Sequence, residues 1–561
     1  MPEWSTACPD WQDRLVSGRS IIPAPIYPDE AARALAIFKE LRVVDLPGKP
    51  TFGECSAQWV FDFVSAVFGA YDAETGRQLI REFYLLISKK NTKSTIAAGI
   101  MLTAAIMCWR EDEEHLILAP TKEIADNSFK PAAGMVRADE ELSSLFHIQE
   151  HIRTITHRIT RASVKVVAAD TETVSGKKSG RVLIDEHWLF GKKINAAAMF
   201  QEATGGQISR EEGWVIYLTT QSDEPPSGVF KEKLDFYRDI RDGKIASNKH
   251  LGVLYEFPPA MVKDKAYLAA ENFHVTNPNI GRSVSREWIS DKLLEYGGKT
   301  DGSLQTFLAK HLNVEIGMSL RADRWAGADF WEQQADPELT LDELMRRCEV
   351  IDVGIDGGGL DDMLGFSAIG RVAGSDGDRA QWLCWNRAWI NRVVLERRKS
   401  EAARFADFAA DGDLVICEEV GQDVEEIAGI VAAIERSGLL DKVGIDPAGI
   451  GGILDGLVAA DVPADKIVGI SQGWRLGGAI KTAERKLAEG RMLHHGSRLM
   501  DWCVGNAKVE PRGNAILITK QVSGSAKIDP LMATFNAVWL MSLNPAAVGS
   551  IDDFIHAPLI G

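Results

Sequence analysis

No Cys-x-x-Cys pair occurs among the seven cysteines of this 561-residue chain, which removes the commonest zinc and redox spacings. Cys8, Cys55, Cys108, Cys348, Cys384, Cys417 and Cys503 are scattered, a pattern that suits reduced thiols packed as small core residues. The N-terminus has no basic stretch leading into an apolar signal core: Glu3, Trp4 and Pro9 already interrupt its first ten residues, so secretion is not expected. Long hydrophobic runs are missing too. The longest, 96–109, is shorter than the roughly 20 residues that cross a bilayer and is bracketed by Lys93 and Arg110. It reads as a buried helix, and no membrane partner is expected. Excess positive charge is absent: a net charge of -17 argues against non-specific coating of nucleic acid, although a local basic face remains compatible with it. No internal repeat or low-complexity tract stands out.

What is present is an ordinary globular composition, 45% hydrophobic and 25% charged, in a chain longer than one hydrophobic core usually supports. The expected organisation is an N-terminal extension (1–50), an α/β domain (51–275), a helical connector (276–345) and a second mixed α/β domain (346–561). In the first domain, short apolar runs at 84–87, 115–119, 164–168, 182–184, 214–218 and 251–255 predict a parallel sheet covered by helices on both faces. The connector is richer in polar helix formers and turns such as Asn277-Pro278-Asn279. The second domain is expected to open with a strand at 350–356, continue through 366–369, 381–385, 414–417 and 443–445, and end in a helix at 530–541.

Between the 84–87 strand and the apolar helix lies Ser88-Lys89-Lys90-Asn91-Thr92-Lys93-Ser94-Thr95. It approximates the G-x-x-x-x-G-K-[ST] pattern of a phosphate-binding loop, with Ser88 and Thr92 at the two glycine positions. In such a loop, backbone N–H groups at a helix N-terminus wrap the phosphates of ATP and a lysine, here Lys93, reaches the terminal ones. Ser94 would supply the hydroxyl that ligates Mg2+. Thr92 must adopt, at a steric cost, a conformation that glycine takes freely. On this segment alone, a solvated basic turn of Lys89, Lys90 and Lys93 is an equal reading.

A second element shifts that balance. Arg181-Val182-Leu183-Ile184-Asp185-Glu186-His187 is an apolar strand delivering two carboxylates at its C-terminal end. Phosphoryl transfer to water needs one carboxylate at the metal and a neighbour that orients or deprotonates the water. Asp185 suits the first role and Glu186 the second. A third strand ends in Thr219-Thr220-Gln221, polar residues placed to sense the terminal phosphate.

In the second half, Asp356 ends a strand before Gly357-Gly358-Gly359, Asp361 and Asp362, while Asp446 closes another strand before Pro447 and Asp529 precedes Pro530. Two-metal phosphodiester cleavage needs carboxylates converging from separate elements, so that two divalent ions activate water and stabilise the leaving oxygen. Oxygen ligands favour Mg2+ or Mn2+. Asp361, Asp362, Glu418 and Glu419 are possible assistants. For each acid separately a turn or helix cap is the commoner role, and Asp529 before Pro530 would serve as an N-cap.

The order of these elements resembles the large terminase subunits of tailed bacteriophages. The likeness runs through Gln58 in Ala57-Gln58-Trp59-Val60-Phe61, the lysine loop, Leu116-Ile117-Leu118-Ala119-Pro120-Thr121, Asp185-Glu186-His187, Asn277-Pro278-Asn279-Ile280-Gly281, Trp325 and Trp331. It continues through Asp356, Asp446-Pro447, Ala483-Glu484-Arg485-Lys486, His494-His495-Gly496 and Lys527-Ile528-Asp529. The resemblance implies a P-loop motor ATPase followed by a nuclease of ribonuclease H-like fold. Gln58 would contact the adenine, and Asp356, Asp446 and Asp529 would hold the nuclease metals.

It also implies double-stranded DNA, a portal and a small terminase subunit as partners, a homo-oligomeric ring on the procapsid, and a site of action in the host cytoplasm. The family commonly has arginine where Lys89 stands and glycine where Thr92 stands. Lysine keeps the charge but loses the planar two-pronged geometry of guanidinium. The rival readings are a helicase-like translocase, whose second half would be another motor domain, and a docking protein with a decayed ATPase.

Overall fold

The computed structural model describes residues 4–169, 179–193, 195–297, 303–316, 325–374, 380–398, 401–446, 450–512, 515–520 and 527–547. The chain forms two compact units, the first ending at Ile316. That division falls inside the 276–345 stretch read as a connector. Among the described residues no helix is long and apolar enough to cross a membrane.

The first unit is built on an eight-stranded sheet in the order His250–Leu254, Glu82–Leu86, Trp214–Thr219, Arg181–Ile184, Glu114–Ala119, Ser163–Ala168, Thr154–His157, Phe146–Gln149. The first six strands run parallel, each within a residue or two of an apolar run in the sequence. The last two are antiparallel additions at one edge. Their polar residues His147, Gln149 and Thr156 give them no apolar run, which is why the sequence does not announce them.

One face of this sheet, including Tyr84, Leu116, Ile184 and Tyr217, packs against Phe230, Leu234 and Tyr237 of the helix Gly228–Arg241. The apolar run after the lysine loop is the helix Lys93–Ile106, buried along most of its length. Gly99 lets Phe38, from the helix Pro28–Glu40 of the N-terminal extension, approach so closely that a Cβ there would lie 2.7 Å from the Phe38 ring.

The second unit has a mixed sheet in the order Leu414–Cys417, Trp382–Asn391, Met363–Val372, Cys348–Gly357, Leu440–Ile445, Ile467–Gly469, with Met492–His494 also pairing with Trp382–Asn391. Of the three long central strands, Met363–Val372 is antiparallel to both its neighbours, and the flanking strands run parallel to theirs, the ribonuclease H-like arrangement that the resemblance implies. Strand alternation divides the core. Ile351, Val353 and Ile355 join the face covered by Ile427 and Val431, whereas Val350 joins the face covered by Leu531, Phe535 and Val538.

The helix Asp529–Met541 lies unusually close to the sheet. A Cβ at Gly354 would sit 1.9 Å from the Ala533 carbonyl oxygen, so only glycine permits the contact. Trp325 and Trp331 belong to this unit's core, Trp325 edge-on to Phe535 at 5.1 Å and Trp331 stacked on His494 at 3.9 Å.

Candidate nucleotide site and acidic cluster

The loop strand and the acid strand are separated by one strand, Trp214–Thr219, so the C-terminal ends of all three open on the same edge of the sheet. At that edge Thr92 takes the left-handed conformation, φ 62° and ψ 24°, directly before the helix Lys93–Ile106. A β-branched residue there is strained by about 1–2 kcal/mol. The strain is held by the neighbours: the Thr92 hydroxyl donates to the Asn91 carbonyl at 2.7 Å and accepts from Asn279 Nδ2 at 3.3 Å. Lys90 is also left-handed, φ 70°, and its carbonyl accepts from Ser283 Oγ at 2.6 Å.

Asn91 is fully buried and acts as the loop's keystone. Its amide nitrogen donates to the Ser88 carbonyl at 3.1 Å and to Asn277 Oδ1 at 2.9 Å, and its oxygen accepts from the Asn279 backbone N–H at 3.1 Å. The Lys89 N–H donates to the Lys310 carbonyl at 2.7 Å. Thus the segment containing Asn277-Pro278-Asn279 forms the back wall of the loop. Ser88 Oγ is buried without a hydrogen-bond partner among the described residues, and Lys89, Ser94 and Thr95 are half-buried.

Asp185 is fully buried. One of its oxygens accepts from Ser94 Oγ at 3.2 Å and from Ser128 Oγ at 2.8 Å, and the other from the Glu186 N–H at 2.9 Å. Burial, reinforced by the Glu186 charge, pushes its carboxyl up to about 6. A carboxylate so placed beside a hydroxyl gains from a cation between them, so Ser94 and Asp185 fit Mg2+.

Lys93 Nζ lies 3.8 Å from Glu186 Oε1. Glu186 is itself left-handed, φ 49°, and its other oxygen accepts from the Trp188 indole at 2.6 Å. The Trp188 N–H donates to Thr219 Oγ1 at 3.1 Å, which ties the middle strand's polar end to the acidic turn. Gln58 stands exposed in the first turn of the helix Gln58–Phe68 and donates to Asp62 at 2.8 Å, while its neighbour Trp59 donates to Asn279 at 2.8 Å.

Sequence reasoning passed over Ser128, Trp188 and Lys310. The Lys310 ammonium is buried over the Trp188 ring and donates to the Gln221 carbonyl at 2.9 Å, and burial lowers it to about 7. Nothing in its local sequence marks it, since a lysine in a polar helix normally faces water.

In the second unit, Ile355 is registered with Ile445, so Asp356 and Asp446 leave the ends of adjacent parallel strands side by side. Asp529, at the start of its helix, comes to the same corner: a Cβ on Gly357 would lie 3.1 Å from Asp529 Oδ1. Burial, then the charges of Asp529 and Asp446, push Asp356 well above the usual carboxylate range. Acids that crowd one another in this way fit a divalent cation. Yet among the described residues no three His, Cys, Asp or Glu side chains already stand at metal-binding spacing; the acids share a neighbourhood without forming a finished cage. Pro447 lies outside the described residues.

The possible assistants are mostly engaged elsewhere, Asp361 with Arg397 at 3.4 Å, Asp362 with the buried Lys527, and Glu418 with Arg392 at 2.6 Å; Glu419 is exposed. Asp352, on the same strand face as Asp356, is an acid the sequence reading omitted. It is fully buried, accepts from the Lys442 N–H at 3.2 Å, and is pushed up by burial and by Asp441.

Residues 58–236 match the family model described as the terminase large subunit, ATPase domain. The chain is 22% identical to the terminase large subunit of Lactococcus phage p2 over 468 residues, 81% of each protein. It is 24% identical to protein YmfN of Escherichia coli K12 over 364 residues, 61% of this chain and 73% of that protein. Among solved structures, the HK97 bacteriophage large terminase aligns over 91% of this chain and 99% of its own, with 19% identity and a TM-score of 0.45. The matched segment begins at Gln58, contains the loop and both acids, and ends on the helix that covers the sheet; over that segment the chain is similar to the ATPase domain of terminase large subunits.

Proposed function

We propose that this protein hydrolyses ATP at the loop 88–95 to drive double-stranded DNA into a capsid, and cuts that DNA at the corner formed by Asp356, Asp446 and Asp529. The observation that carries the first half is the meeting of Ser94 and Asp185 at 3.2 Å with Lys93 and Glu186 at 3.8 Å. These four side chains come from the two elements that a phosphate loop and an acidic strand must bring together.

The loop N–H groups and Lys93 bind the phosphates, and Asp185 and Ser94 hold Mg2+. Glu186, fixed by the Trp188 indole, orients the attacking water and receives its proton. When bound, Mg2+ neutralises charge on the terminal phosphates. Lys93 changes partner from Glu186 to phosphate, which frees the carboxylate. Gln58 is read as the adenine contact. The functional divisions are read as 51–275, 276–345 and 346–561, with 1–50 an extension packed on the motor and the first part of the middle stretch, as far as Ile316, bracing the motor's loop.

In the second unit, Asp356, Asp446 and Asp529 would hold Mg2+ or Mn2+, two ions in all, which supply water activation and leaving-group stabilisation. The chain's own part is to hold three acids from separate elements at one corner. A portal, a small terminase subunit and a homo-oligomeric ring are the expected partners, with action in the host cytoplasm. Backbone contacts suffice for a motor indifferent to sequence, so a net acidic protein can serve.

Two measurements test the pair of activities. ATP turnover should be lost in Lys93→Ala, and Mn2+-dependent plasmid nicking should be lost in Asp356→Asn with turnover retained. Absence of turnover in the wild type would favour a decayed ATPase, and strand displacement without cleavage a helicase.

A further inference from the structure

The strand Ile467–Gly469 runs parallel to Leu440–Ile445, with Gly469 registered beside Ile445, and the Ile470 N–H donates to the Ile445 carbonyl at 2.9 Å. The chain that follows, Ser471-Gln472-Gly473-Trp474-Arg475, therefore leaves the sheet on the same edge as Asp446 and Asp356. Gln472 Nε2 donates to Asn536 Oδ1 at 3.0 Å, and Asn536 Nδ2 to the Ile355 carbonyl at 3.0 Å, one residue before Asp356. Gly473, at φ 73°, turns the chain, and Leu476 is fully buried.

Between these two anchors Trp474 is 62% exposed. Its outward position is therefore imposed by a fixed turn. The Arg475 guanidinium lies 5.5 Å from the Trp474 ring, and its Nη1 donates to Ser471 Oγ at 3.4 Å. Other cations at this edge, Arg392, Arg397 and Lys527, are each paired with a carboxylate. Arg475 makes no ion pair among the described residues.

We infer that Trp474 and Arg475 form a contact surface for duplex DNA beside the Asp356–Asp446–Asp529 corner, Arg475 engaging a backbone phosphate and Trp474 packing on the adjoining sugar. The inference rests on the nuclease reading of that corner. The chemistry suits such an occupant: guanidinium matches phosphate in a bidentate manner, and an exposed indole packs on the apolar face of a deoxyribose whatever the base attached to it. A protein partner is less suited, because Ser471, Gln472 and Arg475 surround the ring with polar groups instead of an apolar groove.

The test is Mn2+-dependent plasmid nicking by the full-length protein at several salt concentrations, with the oligomeric state followed by sedimentation. Trp474→Ala should raise KM about tenfold through lost apolar burial, and Arg475→Ala should reduce the salt slope of log(kcat/KM) by about one. Both should retain wild-type ATP turnover. Loss of nicking in Asp356→Asn alongside unchanged KM and salt slope in the two variants overturns this proposal alone. Nicking that survives Asp356→Asn overturns the acid-site reading, and the proposal with it. A change of oligomeric state with unchanged nicking would assign the surface to a second copy of the chain and also overturn it.

Discussion

The side-chain amides of Asn91 and Asn277, 186 residues apart, meet at 2.9 Å in a buried pair behind the phosphate loop. Replacing either by alanine leaves the other's polar atoms buried and unpaired, a cost of about 1–3 kcal/mol. The double variant should lose less than the sum of the single losses. Thermal or denaturant unfolding of the four proteins checks this, and additive losses would show that the pair is not coupled.

Thr92 makes two hydroxyl hydrogen bonds while holding a left-handed backbone. Thr92→Gly relieves the backbone strain and forfeits those bonds, so its stability should stay within about 1 kcal/mol of wild type. Thr92→Val keeps the strain without the bonds and should be the less stable of the two. The same ranking should hold for ATP turnover. A Val variant as stable as the Gly variant would mean that the hydroxyl contacts are idle.

Lys310 gives a pH test with a defined sign. Burial lowers its ammonium to about 7, whereas an unfolded lysine titrates near ~10.4. Between those values the unfolded state binds the extra proton, so this group's contribution to stability rises with pH across the window. Lys310→Met removes the dependence. Its melting temperature relative to wild type should be highest below about pH 7 and fall steadily toward about pH 10. A flat difference would place the wild-type ammonium in water.

In metal-free buffer near neutral pH, Asp356→Asn should melt above the wild type, because it removes a charge disfavoured by burial and by Asp529 and Asp446. Mn2+ should raise the melting temperature of the wild type and do so much less for the variant. Equal shifts in both proteins would place the ion elsewhere.

Gly354→Ala should cost the second unit at least about 3 kcal/mol or prevent its folding, since overpacking here meets backbone instead of a side chain able to move. The nearest atoms to the added methyl are the Ala533 carbonyl oxygen at 1.9 Å and the Ala537 nitrogen at 2.7 Å. Normal melting would mean that the helix Asp529–Met541 can retreat.

Much of this was legible beforehand because buried parallel strands are short apolar runs, as at Glu82–Leu86 and Trp214–Thr219. The strain at Thr92 was also foreseeable, since a threonine stood at a glycine position. The strands Phe146–Gln149 and Thr154–His157 were not, because edge strands with exposed polar residues lack that signal. Side-chain scaffolding was hidden for a different reason. The bonds of Asn91 to Asn277 and of Lys310 to Gln221 link residues far apart in the chain, and single-sequence patterns record only near neighbours.

The back wall of the loop also governs how this protein can be divided. Cutting the chain at 275 would remove Asn277, Asn279, Ser283 and Lys310, each of which bonds the segment from Lys89 to Thr92. Such a fragment would keep every residue of the lysine loop and lose the bracing that fixes its shape. A motor fragment that retains the loop's geometry must run on to Ile316.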